Sequence, residues 1–95
     1  MYIHIFAFKW KPVTTEAQKE QAAEEIRAFQ GTIPDLLETA VGVNRSPRGQ
    51  GYTFGGVMKF QDRAAYEAYA THPAHEALLS WLLPLIEPME LDFEA

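Results

Sequence analysis

The chain has 95 residues, a net charge of −5 and no cysteine. That is the length of a single domain. The charge leaves no surplus of Lys and Arg to neutralise phosphates, which argues against a nucleic-acid partner, and the missing cysteines exclude disulfides and thiolate metal sites. With 47% hydrophobic and 13% aromatic residues the chain can build a core, so disorder is not expected.

The opening "MYIHIFAFKWKP" is neither a signal peptide nor a membrane span, because its apolar run is short and its charges follow that run. A soluble, cytoplasmic domain with no membrane partner is the expectation. Residues 2–10 are dense in β-branched and aromatic types and predict a first strand. Ile3, Ile5 and Ala7 fall on one face; His4, Phe6, Phe8 and Trp10 fall on the other. Both faces are apolar, so both are expected to be covered.

Thr15-Glu16-Ala17-Gln18 has the spacing of a capping box and opens a helix. Ala22, Ile26, Phe29 and Ile33 make its apolar stripe, and Gly31 and Pro34 end it. Residues 36–44, "LLETAVGVN", predict a second strand. The polar turn "RSPRGQG" follows, with Arg45 and Arg48 expected in solvent. Residues 52–60, "YTFGGVMKF", predict a third strand, in which Gly55 and Gly56 mark a bulge or a close approach of another group.

Asp62 suits the N-cap of a helix running to about Ala70. Pro73 stops that helix and suits the first turn of the next, "AHEALLSWLL", whose leucines and Trp81 are expected in the core. The last segment alternates Met89, Leu91 and Phe93 against Glu90, Asp92 and Glu94, which reads as a peripheral strand. The order strand, helix, strand, strand, helix, strand is the α+β, ferredoxin-like βαββαβ arrangement: a four-stranded antiparallel sheet with helices on one face. The other face of the first strand is too apolar to stay wet, so two sheets are expected to pack face to face in a homodimer.

Three histidines are candidates for chemistry. His75 lies in the first turn of the helix after Pro73, with Leu79 and Leu82 on the same side. Partial burial and the positive helix end both disfavour its cation, which suits a general base. Tyr69 stands six residues earlier, and a fold at Pro73 would bring its hydroxyl to the imidazole. His72 precedes proline, is pushed to extended geometry and can cap the following helix. The pair His72 and His75 lacks a third ligand, so no metal site is expected.

The fragments "HIFAFKWK", "TEAQKE", "TIPDL", "GYTF" and "Y..HPAH", in this order, resemble the stress-responsive dimeric α/β-barrel (Dabb) domain over nearly the whole chain. The resemblance implies a dimeric ferredoxin-like barrel. Its plant branch of the olivetolic acid cyclase type closes a linear polyketide by aldol condensation without a cofactor. By that resemblance His75 takes a proton from the substrate carbon and Tyr69 orients. His4 is a polar anchor in a pocket lined by Phe6, Phe8, Ile26, Phe54 and Leu78, and Asp92 fixes the His75 tautomer as the third group of an activated base. The chain departs from that branch at Phe54, where the cyclases carry a second strand histidine, and at Gly55 and Gly56, where bulkier side chains would narrow the site.

The expected function is therefore a cofactor-free acid/base reaction, cyclase- or lyase-like, on a small apolar carbonyl or aromatic compound. A non-catalytic stress-associated protein that binds a ligand or assembles into oligomers is the alternative. A monooxygenase-like barrel, or one binding haem through His75, ranks below both.

Overall fold

The computed structural model describes residues 1–95. The elements are β1 (Tyr2–Trp10), α1 (Glu16–Ala28), β2 (Leu36–Val43), β3 (Phe54–Phe60), α2 (Arg63–Ala70), α3 (Pro73–Leu82), a 3-10 turn (Leu83–Leu85) and β4 (Ile86–Glu94). The strands form one antiparallel sheet in the order β2-β3-β1-β4. This is the ferredoxin-like arrangement predicted from the element order.

Local chemistry sets the helix starts. The Gln18 N–H donates to Thr15 Oγ1 at 3.1 Å and the Thr15 N–H donates to Gln18 Oε1 at 2.9 Å, a complete capping box. Asp62 Oδ1 accepts from the Ala65 N–H at 2.9 Å and starts α2. At the start of α3, His72 Nδ1 accepts from the Ala74 N–H at 3.1 Å, with Pro73 in the first turn, where its missing N–H costs nothing. At the far end of α1, Gly31 takes a φ of +89°, which lets the chain turn back toward the sheet.

The alternation of each strand sorts its side chains onto two unlike faces. On the inner face Phe6, Phe8, Phe54, Met58 and Phe60 join Ala22, Ile26 and Phe29 of the first helix region, and Tyr69, Leu78 and Leu82 of the others, in one buried core. The outer face brings Ile3 opposite Phe93, Ile5 opposite Leu91 and Val57, and Ala7 opposite Met89. No helix covers it, and Leu91, Phe93 and Met89 keep 55%, 45% and 41% of their surface exposed. No helix is long and apolar enough to cross a membrane.

Two strand starts differ from the sequence expectation, and one of the two readings offered for Gly55 and Gly56 holds. β3 begins at Phe54 rather than at residue 52, because the Asn44 side-chain amide donates to the Tyr52 carbonyl at 2.7 Å and holds that segment as a loop. β4 begins at Ile86 and contains Pro88, which is tolerated because β4 is an edge strand paired only with β1. Gly55 and Gly56 mark no bulge; the register runs unbroken through Phe6 opposite Gly56 and Ala7 opposite Gly55. They mark close approach. A Cβ on Gly56 would press on the Ala40 carbonyl and lie 2.9 Å from Phe6 Cζ. The room at Gly56 is filled by the Phe6 ring and does not widen a pocket.

Candidate active site

Between the inner sheet face and α3 lies a cavity of about 210 Å³. Its floor is β1, through His4, Phe6 and Phe8, and β4, through Ile86, Pro88 and Glu90. Ile26 of α1 and Tyr69 of α2 close one side. α3 adds His75, Leu78, Leu79 and Leu82 to the lining, continued by Leu83.

The corner between α2 and α3 builds the polar end. The His72 N–H donates to the Tyr69 carbonyl at 3.0 Å and closes the last turn of α2. Pro73 then starts α3 in a new direction. Across this corner the rings of Tyr69 and His75 meet with centroids 4.2 Å apart. The meeting is ring on ring, tilted by 38°, and not the hydroxyl-to-imidazole hydrogen bond expected from sequence. His75 Nδ1 instead donates to the Ala70 carbonyl at 3.0 Å. A carbonyl can only accept, so this bond places the proton on Nδ1 and leaves the Nε2 lone pair free. Burial lowers the His75 pKa from its usual 6.5; the Ala70 carbonyl opposes that shift and the nearby His4 adds to it. The ring is therefore neutral near pH 7.

Asp92 does not reach His75, contrary to the sequence expectation. The antiparallel register places Asp92 directly opposite His4. His4 Nδ1 donates to Asp92 Oδ1 at 2.6 Å, and the Tyr2 hydroxyl donates to Asp92 Oδ2 at 2.9 Å. The carboxylate thus orients the other histidine. The remaining nitrogen of His4, Nε2, lies 4.0 Å from Glu90 Oε1. His4 is only 4% exposed, so its ring is held by this contact set and by packing against Phe6 and Tyr66.

Tyr69 is buried, and burial drives its hydroxyl pKa upward, with Tyr66, Glu90 and Asp92 adding to the shift. It stays protonated at any ordinary pH and can serve as a hydrogen-bond donor, not as a base. Tyr66 is raised for the same reasons, burial first and the carboxylates of Asp92 and Glu90 next. Its ring stacks on Tyr2 with centroids 4.6 Å apart and stands 5.1 Å from His4.

Of the residues singled out in the sequence, His4, Phe6, Phe8, Ile26, Tyr69, His75 and Leu78 line the cavity. Phe54 does not. It stacks behind Phe8, centroids 5.8 Å apart, and supports the wall from β3. Asp92 touches the cavity only through His4. Sequence reasoning missed Tyr2, Tyr66 and Glu90. The signals were available: Tyr66 and Tyr69 stand three apart on one helix face, and Glu90 shares its strand parity with Asp92. No three His, Asp or Glu side chains converge closely enough to hold a metal ion.

Comparison with solved structures finds the same fold in proteins of several sources. A dimeric ferredoxin-like protein from Thermobifida fusca is 26% identical, with a TM-score of 0.86 over 99% of this chain and 90% of that one. A dimeric protein of ferredoxin-like fold from Bacteroides fragilis is 26% identical, with a TM-score of 0.80 over 99% and 95% of the two chains. Both are dimers, which supports self-association here. The hydroxynitrile lyase of Passiflora edulis is 18% identical, with a TM-score of 0.83 over 98% and 93% of the chains, a likeness of fold. Comparison with curated proteins gives no match. The sequence model of the stress responsive A/B barrel domain, Dabb, matches residues 3–95, and the chain belongs to that family.

Proposed function

We propose that the cavity binds a small, largely apolar carbonyl or aromatic compound, and that His75 acts on it as a general base without a cofactor. The observation that carries this reading is the bond from His75 Nδ1 to the Ala70 carbonyl. It leaves a neutral imidazole with its Nε2 lone pair unused in the wall of an apolar cavity. In the reaction, Nε2 takes a proton from a carbon next to the substrate carbonyl. The developing negative charge on the carbonyl oxygen is met by a hydrogen bond from the Tyr69 hydroxyl at the polar end of the cavity. Deprotonation beside a carbonyl serves both bond-forming, cyclase-like and bond-breaking, lyase-like outcomes. The resemblance to plant cyclases and the fold shared with a hydroxynitrile lyase fit this range without choosing within it.

Binding without turnover is the second reading. It is favoured by the ring-on-ring geometry of Tyr69 and His75, which leaves no hydrogen bond between them to couple their protons. On either reading we infer a homodimer through the outer sheet face, where Leu91, Phe93 and Met89 are exposed next to Ile3 and Ile5.

One variant separates the readings. His75→Ala, assayed with a panel of small phenols and diketides, should retain ligand binding while turnover falls by about 10²- to 10⁴-fold. Turnover that survives the substitution removes His75 as the base. A wild-type protein that holds none of these compounds removes the cavity as a binding site.

A further inference from the structure

The cavity is graded from one end to the other. Along β1 its residues run His4, Phe6, Phe8; along β4 they run Glu90, Pro88, Ile86. The register holds the two runs side by side, with Phe6 opposite Glu90 and Phe8 opposite Pro88. Along α3 the order is His75, then Leu78 and Leu79, then Leu82. From His75 to Leu82 is about 10 Å of helix. Every wall therefore passes from polar to apolar in the same direction. The cavity has a volume of about 210 Å³. It suits one ring or a short chain with a single polar head.

The charges at the polar end have one sign. Glu90 stands in the wall, with Oε1 4.0 Å from His4 Nε2. Asp92 is held on the other nitrogen of the same ring at 2.6 Å. No Lys or Arg lines the cavity. The hydrogen-bonding groups there are His4, Tyr69 and His75, and none is a fixed cation. A carboxylate head placed among them would lose its hydration, gain no counter-ion and face Glu90 directly.

We infer that this cavity takes ligands with an uncharged polar head, such as a ketone, aldehyde, amide or phenol, and rejects the corresponding carboxylates, with Glu90 as the selecting residue. The inference rests on the cavity being a ligand site, as proposed above, and deepens it by naming the charge of what binds. Glu90 selects at the rim, through its charge: its side chain is 63% exposed. Solvent screening limits the effect to about tenfold for a single like-charge contact.

Benzamide and benzoate test this cleanly, since they share size and shape and differ in charge at pH 7.5. Each is titrated into the ¹⁵N-labelled full chain and followed by two-dimensional NMR at the backbone amides and the imidazole nitrogens of His4 and His75. Benzamide is expected to bind up to about tenfold more tightly than benzoate. In Glu90→Gln the ratio should shrink, mainly because benzoate improves. Substitution at this exposed edge-strand position keeps the fold, which the spectrum itself verifies. Benzoate binding as tightly as benzamide, or a ratio unmoved by Glu90→Gln while benzamide still binds, overturns the inference and leaves the cavity reading standing. Binding of neither compound, with binding also absent for the phenols, overturns both.

Discussion

The two faces of the sheet are built from the same strands and obey opposite demands. Inward residues meet helices, and those of β1 and β3 are mostly buried, yet they leave a cavity to which the sheet contributes His4 and the helices contribute Tyr69 and His75. Outward residues are as apolar, with Ile3, Ile5, Leu91 and Phe93 in adjacent rows, but only Ile3 is buried by the chain, while Leu91 and Phe93 stay exposed. One face is completed within the subunit and tolerates imperfect packing for the sake of a site. The other is left exposed at Met89, Leu91 and Phe93. A period of two lets a single strand such as β1 serve both ends, with His4 on one side and Ile3 and Ile5 on the other.

The largest effect should follow from placing a charge on the outer face. Leu91→Asp is expected to convert a dimer into a folded monomer, read by sedimentation equilibrium. Burying one leucine contributes about 1.5–3 kcal/mol, and a symmetric interface contains it twice. Dissociation should therefore strengthen by at least ~100-fold. An unchanged mass would mean that this face is not the interface.

A second comparison sets the same substitution on both faces, in that monomeric background. Gly56→Ala puts a methyl against Phe6 and the Ala40 carbonyl on the inner side. It should cost about 1–3 kcal/mol in denaturant unfolding. Gly42 sits opposite Gly55 on the outer side, and a Cβ added there would meet nothing within 4 Å. Gly42→Ala should stabilise by about 0.4–1 kcal/mol through the unfolded chain. Equal effects would contradict the assignment of a crowded position at Gly56 and an open one at Gly42.

The smallest effect is in pH. The His75 pKa is lowered from 6.5 in the folded chain. Between 6.5 and that lower value the unfolded chain binds more protons than the folded one. Stability must then rise with pH across this window and fall as pH drops through it. His75→Gln should flatten that part of the stability curve and leave the region above pH 7 unchanged, as chemical denaturation across pH would show.

Much of this architecture was legible in the amino acids. Thr15, Asp62 and His72 announce their helices because capping is local chemistry, and Tyr69 and His75 flank a proline whose consequences are steric. What escaped depends on lateral placement. Strand parity correctly puts Asp92 on the inner side, but only the β1–β4 register decides that it faces His4 and not His75. Phe54 has the right parity too, yet β3 lies on the far side of β1 from β4, so its ring ends behind Phe8. Gly56 suggested open space because an absent side chain says nothing about which neighbour will fill it.

The oxygen that fixes the proton on His75 belongs to the main chain of α2. Every amino acid supplies the same atom there, so no change of side chain at residue 70 could delete it. What can delete it is geometry: lengthening or shortening the link between the two helices would swing the carbonyl away and let the imidazole choose its other tautomer. An insertion at Thr71 is thus expected to disturb this proposed base more than most replacements around it, and a search for the orienting partner among acidic residues would look past it.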